Sequence, residues 1–435
     1  MKRKTSIIIL TYNNLDYTKD CIESILKYTK KGTYEIIVVD NLSTDGTREW
    51  LKKQKNLKVL LNEENLGFPK GCNQGIALAK PHNDILLLNN DTIVTENWLE
   101  NLKNCLYSDT SIGAVGAISN HDENLQGCNF TYEDFDTMQF LAKKNNVSNP
   151  ERWEQKIFLI GFCLLIKREV MNQIKKLDEN YSPGYIEDND LSLRITKLGY
   201  KLMLCHDCFI HHYLGSSFRK DLNQFYPILY KNRKYFEEKW GFQTFAFDEI
   251  KDASLRLLIN PKQVLELNCG IGTTLLKIKY QYKNVIIDGL EQDKYKRKIA
   301  NKITQVFPSF ENIEEEKYDY ILIGNILEHV KNPINFIHNI KKYLKKDGYI
   351  IGEIHNAASI ESINNLLNDH WYFEQNHFTI TDIQEIFYDE EYQNGFIFSW
   401  YKNVNEEEKK MINHLKNIKE KEYAVTYYSF RFQIK

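Results

Sequence analysis

The chain has 435 residues, too many for one ordinary hydrophobic core, and reads as two domains. Its 57 basic and 59 acidic side chains nearly cancel, so no global field recruits nucleic acid or an anionic membrane. A hydrophobic content of 42%, with 27 Tyr and 23 Phe, excludes the disordered and fibrous classes. The longest uncharged apolar run, residues 157–166, falls short of the roughly 18–20 residues a bilayer crossing needs, so a soluble cytoplasmic protein without a transmembrane segment is expected.

In chain order, residues 6–10 form a short buried strand that runs straight into Thr-Tyr-Asn and does not read as a signal peptide. Cys21, Ile22, Ile25 and Leu26 share one helical face. YEIIVVD, residues 34–40, is a second strand ending in a carboxylate; a helix pattern starts at Thr47 after the loop NLSTDGT. Residues 57–61 form a third strand, 68–79 a helix, and DILLLNND a fourth strand that again ends in an acid. This alternation predicts a parallel sheet with helices on both faces, whose ligands collect at the carboxyl ends of the strands. Asn13, Asp40, Asn41, Asn89, Asn90 and Asp91 all fall there. Each alone is an ordinary turn or cap residue; their joint placement points to a site.

Residues 119–153 are polar and irregular, a long loop expected to close over a ligand on the acceptor side. Residues 183–200, PGYIEDNDLSLRITKLGY, set four acidic or amide side chains before an amphipathic helix. Asp188 and Asp190, two apart, cannot share a face, which suits a general base beside a structural carboxylate. An acidic helix start favoured by the helix dipole explains the same residues. Leu191, Leu193, Ile195 and Leu198 belong to the core. The eight cysteines show no disulfide framework; CHDC, with Cys205 and Cys208, offers a single pair for zinc inside what reads as a strand. Residues 219–241 read as a linking helix.

A second alternation begins at Gln263. QVLELNCGIGTTLL is a strand, a glycine turn and a helix; VIIDGLEQD is a strand ending at Glu291; YDYILIGNILEHV, a helix over 333–344 and DGYIIGEIHN follow. The tail reads as a helix over 406–420 and an alternating strand over 425–434 that completes the sheet.

The first half resembles family 2 glycosyltransferases of the GT-A fold, on the ordered blocks SIIILTYNN, EIIVVDNLSTDGT, NEENLGFPKGCNQGI, DILLLNNDT, GFCLLIKREV, DENYSPGYIEDNDLSLR and FIHHYLGSSF. The likeness is to bacterial members that act on cell-surface polysaccharide or glycoprotein, and it covers about the first 240 residues. It implies that Thr11, Asn13, Asp40 and Asn41 line a nucleotide pocket and that Gly71 and Asn73 approach the nucleotide sugar. Asn89-Asn90-Asp91 stands at the Asp-x-Asp-like motif, with Asn90 and Asp91 at the diphosphate and Asp91 holding Mg2+ or Mn2+. His211 or His212, before the Gly215-Ser216 turn, would join the metal, with His212 favoured. Asp188 would be the base of an inverting transfer and Glu187 its acceptor-side neighbour. The implied donor is a uridine diphosphate sugar, with dTDP-rhamnose as the alternative, and the implied acceptor is a glycan or a protein such as flagellin.

The second half is similar to class I S-adenosylmethionine-dependent methyltransferases over residues 263–356, and more loosely over DHWYFEQNHFT. The likeness implies a Rossmann-like α/β domain with Glu266, Gly270, Gly272, Glu291 and Glu328 around S-adenosylmethionine. Asn268 replaces a glycine of that pattern, and its Cβ is expected to narrow the methionine end. No catalytic base is identifiable, so a non-catalytic docking module is the alternative. The expected domains are 1–241, with a helical linker over 219–250, and 251–435.

Overall fold

The structure is a computed structural model and describes residues 3–121, 126–213, 222–244, 250–367, 376–388, 392–406, 408–410 and 423–435. The chain divides into two compact units, Met1–Phe247 and Asp248–Lys435.

The first unit carries β1 (Thr5–Thr11), β2 (Tyr34–Asp40), β3 (Leu57–Leu61), β4 (Asp84–Asn89), β5 (Thr92–Ile93), β6 (Ile112–Ile118), β7 (Trp153–Lys156), β8 (Cys163–Ile166), β9 (Lys201–Phe209) and β10 (His211–His212). Eight of these form one sheet in the order β3-β2-β1-β4-β8-β6-β9-β7, and β10 pairs with β5 in a separate ribbon. β3, β2, β1 and β4 are parallel, as expected. However, β8 runs antiparallel to β4 and β6, and β7 antiparallel to β9, so the sheet is mixed and the all-parallel expectation is corrected. CLLI in β8 is buried throughout, and a continuous apolar run says nothing about pairing direction. Alternate residues of β1 feed two cores: Ile7 and Ile9 on one face, Ile8 on the other.

Residues 119–153 are not the structureless loop expected. They include an 11-residue helix, Phe135–Asn145, whose N-terminus is capped by the Asp134 carboxylate accepting from Thr137 N. The linking segment contains the 19-residue helix Leu222–Trp240. Cys205 and Cys208 sit buried in β9, and all eight cysteines are free.

In the second unit the strands are β11 (Gln263–Leu267), β12 (Ile286–Leu290), β13 (Val306–Phe307), β14 (Tyr318–Gly324), β15 (Leu344–His355), β16 (Tyr392–Tyr401) and β17 (Val425–Ile434). Their order is β13-β12-β11-β14-β15-β17-β16. The first five are parallel, and β17 returns antiparallel between β15 and β16. The final strand therefore completes the sheet from within it, and the edge belongs to β16, which the sequence reading missed. Most of the predicted 406–420 helix and of DHWYFEQNHFT, and the Gly215-Ser216 turn, lie outside the described residues. Among the described residues no helix is long and apolar enough to cross a membrane.

Candidate active sites

The helix Glu187–Lys197 begins after two consecutive left-handed residues, Tyr185 at φ 73° and Ile186 at φ 74°. Such backbone costs an L-residue about 1–2 kcal/mol, so the surroundings must impose it. Asn232, fully buried on the helix Leu222–Trp240, donates from Nδ2 to the carbonyls of Tyr181 (2.8 Å), Gly184 (2.7 Å) and Tyr185 (3.0 Å). From the other side, Phe68 N donates to the Pro183 carbonyl at 2.7 Å. Asp190, buried, accepts from Arg194 Nε (2.8 Å), Lys239 Nζ (2.6 Å) and Trp240 Nε1 (3.0 Å), so its carboxylate is committed to anchoring the helix.

Glu187 and Asp188 remain. Glu187 is buried, and its Oε2 has no hydrogen bond among the described residues. Asp188 is half-buried; Gly161 N donates to its Oδ2 at 3.2 Å and Asn189 N to its Oδ1 at 2.9 Å. Loss of hydration pushes both carboxyl pKa values up, and the Asp188 charge pushes Glu187 further.

The residue after Gly161 joins this pair to a second cluster. Phe162 stacks on the His212 ring, centroids 5.1 Å apart and planes at 14°, and its carbonyl accepts from Asn89 N at 2.9 Å. His212 Nε2 lies 3.1 Å from Asp91 Oδ1 and 3.4 Å from Asn89 Nδ2. Asp188 and the Asp91–His212 pair thus flank one dipeptide, Gly161-Phe162. His211, its neighbour on β10, points to the opposite face. There its Nδ1 meets Tyr132 Oη at 2.5 Å, among the rings of Phe135 and Tyr213, and burial pushes its pKa down to about 4. The two histidines left open by the sequence thus differ: His212 is the one hydrogen-bonded to Asp91.

At the end of β2, Asp40 is fully buried. Its Oδ2 accepts from Ser43 N (3.1 Å) and Arg48 (3.2 Å), while Oδ1 has no partner among the described residues. Thr11 and Asn90 converge on Thr18, at 3.0 Å each, and Asn13 holds the loop after β2: its N–H donates to Ser43 Oγ (2.7 Å) and its Oδ1 accepts from Thr44 N (2.8 Å). Three further residues expected at the nucleotide sugar also make contacts within the fold. Asn41 spends its amide inside the fold, on Asn65, Gly67 and Asn62. Asn73 clamps the loop Leu177 to Glu179 with both ends of its amide. Gly71 is small because a Cβ would run into Leu10, so it serves helix-on-strand packing. Arg48, Gly161, Phe162 and Asn232 were missed: the last three act through partners distant in sequence, Arg48 reaches back across a loop to Asp40, and no local pattern marks them.

In the second unit, the loop after β11 takes three left-handed residues: Asn268 (φ 55°), Gly270 (φ 57°) and Gly272 (φ 93°). Asn tolerates that region best after Gly, so the turn survives the substitution, and Asn268 is exposed. Glu291, just past β12, is buried and accepts from Gly270 N (2.9 Å) and Asp293 N (2.8 Å), which fixes the loop. Glu266 is buried in β11. Glu328, just past β14, is buried against His355, the last residue of β15, and accepts from its N (2.6 Å) and Nδ1 (2.9 Å).

Both units resemble known proteins. The family model for glycosyl transferase family 2 matches residues 6–175, and the methyltransferase-domain model matches residues 241–393. The chain is similar to glycosyltransferase GlyG of Streptococcus pneumoniae, 26% identical over 48% of this chain and 69% of that one. It is also similar to N-methyltransferase 4 of Papaver somniferum, 28% identical over 32% of this chain and 43% of that one. A solved mannosyltransferase from Pyrobaculum calidifontis, in complex with GDP-Man and Mn2+, aligns at 19% identity and a TM-score of 0.38, covering 50% of this chain and 59% of its own. The chain thus spans only part of each of these relatives. It is an enzyme that joins a family 2 glycosyltransferase domain of GT-A-like α/β fold to a Rossmann-like methyltransferase domain.

Proposed function

We propose that the first unit transfers a sugar, with inversion, from a nucleoside diphosphate donor to a hydroxyl of a surface glycan or glycoprotein, flagellin being one such acceptor, and that the second unit methylates the glycan from S-adenosylmethionine. The observation that carries the first half is the Gly161-Phe162 dipeptide, with Asp188 on one side and Asp91–His212 on the other. A base and an anion-neutralising pair belong on either side of a reacting sugar carbon.

Asp188 is the base. Its carboxylate is held by Gly161 N yet still reaches solvent, so it can take the proton of an incoming hydroxyl. Glu187, with its pKa raised, keeps its proton longer than an ordinary carboxyl and can donate a hydrogen bond to the acceptor. Asp40 Oδ1, without a partner among the described residues, can accept from a base ring N–H, which uracil, thymine and guanine present and cytosine does not. A uridine diphosphate sugar fits that acceptor, with a thymidine diphosphate donor such as dTDP-rhamnose as the alternative. Thr11 and Asn13 shape that pocket.

Asp91 and His212 fit Mg2+ or Mn2+ as a carboxylate and an imidazole nitrogen 3.1 Å apart. Among the described residues no group of three or more His, Cys, Asp or Glu could hold a metal, so diphosphate oxygens would complete the shell. The ion would neutralise charge on the departing diphosphate. The loop Asn268–Gly272, with Glu266, Glu291 and Glu328, would hold S-adenosylmethionine, whose sulfonium supplies the methyl group. The alternative for this unit is a docking module without catalysis. A cytoplasmic location, where nucleotide sugars and S-adenosylmethionine are made, goes with this reading.

Screening nucleotide sugars for hydrolysis identifies the donor. With it, Asp188→Asn is expected to abolish turnover in a folded protein; full activity in that variant refutes the reading. Calorimetry with S-adenosylmethionine tests the second unit, and absence of heat at millimolar cofactor refutes it.

A further inference from the structure

Methylating a hydroxyl requires something to take its proton, and the sequence of the second unit shows no such group. We propose that His355 is that general base, oriented by Glu328, and that the second unit methylates a hydroxyl oxygen lying against Tyr427 and Trp400. This rests on the reading that the unit binds S-adenosylmethionine.

Position is the first argument. β11, β12, β14 and β15 are parallel, so the glycine loop, Glu291, Glu328 and His355 stand along one edge of the sheet, with His355 and Glu328 on adjacent strands. Geometry is the second. Glu328 accepts from both the N–H and Nδ1 of His355, which assigns the ring hydrogen to Nδ1 and the lone pair to Nε2. The ring is 63% exposed while Glu328 is 6% exposed, so the buried carboxylate fixes an imidazole that faces outward. A buried acid orienting a base is the arrangement general-base catalysis uses. Third, the His355 neighbourhood is shaped for a ring-like acceptor. Tyr427 is the cross-strand partner of His355, and Trp400 that of Tyr427, so all three share a face. The two aromatic rings lie 5.5 Å apart with planes at 14°.

In the step, the acceptor oxygen forms a bond to the methyl carbon as the carbon–sulfur bond breaks. The bonding pair goes to sulfur, leaving a neutral thioether, and the hydroxyl proton passes to His355 Nε2 and then to water. An acceptor already deprotonated, or with no proton to lose, would not need the dyad.

Among the described residues the charged groups facing His355 are Glu328, Lys251 and Glu353. Lys251 lies with Nζ 4.2 Å over the Tyr427 ring, and Glu353 accepts from Lys251 N at 3.2 Å. The Glu328 hydrogen bond raises the His355 pKa, against burial and Lys251.

Diethyl pyrocarbonate, which acylates neutral imidazole, tests the assignment on the full chain, with modified histidines mapped by mass spectrometry. S-adenosylhomocysteine is the probe, its binding measured by calorimetry. Bound probe is expected to slow acylation of His355 at least fivefold and to leave exposed His82 unchanged. The pH midpoint of His355 acylation is expected above that of His82, and to fall in Glu328→Gln. Unprotected His355 in the presence of bound probe overturns the proposal, as does an unmoved midpoint. If Glu328→Gln does not fold, the wild-type midpoint decides: at or below that of His82, the proposal fails. If the probe does not bind at all, the cofactor reading itself fails, which is a different result.

Discussion

In the proposed reading the two units reach a proton acceptor by opposite routes. In the first, a carboxylate is made more basic by taking it partly out of water: Asp188 and Glu187 share a poorly hydrated pocket, and the loop before them is braced by Asn232, Phe68 N and the anchored Asp190. In the second, an exposed imidazole is made more basic by a buried partner, Glu328. The first route demands a rigid, strained support; the second demands one good hydrogen bond. Substitutions around Asp188 should therefore be costly at a distance, and those around His355 only at contact.

The sharpest break is Asp188→Asn, which keeps the Gly161 contact and removes the base; a loss of about 10²–10⁴-fold or more in donor turnover is expected, with far-ultraviolet circular dichroism unchanged. Next, Asn232→Ala leaves three loop carbonyls without their shared donor. It should cost about 1–3 kcal/mol of stability by denaturant titration and lower kcat more than KM, because the carboxylates lose their position. Gly71→Ala forces a methyl group against Leu10 and should destabilise by about 1–3 kcal/mol; unchanged nucleotide affinity in the surviving folded protein would make its role packing alone, and a selective loss of affinity would support the expected sugar contact.

A smaller effect concerns pH. Burial works against ionisation of Asp178, but Lys239, Asn180 and Tyr235 overcome it and lower its pKa to about 2. A lowered carboxyl pKa gives stability that is present above the unfolded value, near 3.8, and is lost as pH falls through about 2. Lys239→Met should therefore flatten the acid side of the stability curve for the first unit. A curve identical to wild type between pH 4 and 2 contradicts the assignment.

What the sequence made legible follows the same division. Acids at strand ends, Asp40 and Asp91, and the Glu187-Asp188 pair at a helix start announce themselves because strand ends and helix starts are local patterns. Asn41 and Asn73 looked the same, yet their partners sit at residues 62 and 177, and only the fold shows that their amides face inward. His211 and His212 alternate across a strand, so the sequence says they part; which one meets Asp91 depends on the ribbon with β5. Pairing direction is likewise absent from periodicity, which is why β7 and β8 were not foreseen as reversed. His355 was invisible because its partner lies 27 residues away, on the neighbouring strand.

The central claim, a carboxylate base strengthened by its surroundings, is tested most directly by the pH dependence of kcat/KM for the identified donor. Asp188 must be ionised to act, so activity should be lost as pH falls through its raised pKa, with the acid limb displaced above the ordinary carboxylate range. A limb at or below pH ~4, where an unperturbed aspartate titrates, would contradict the account.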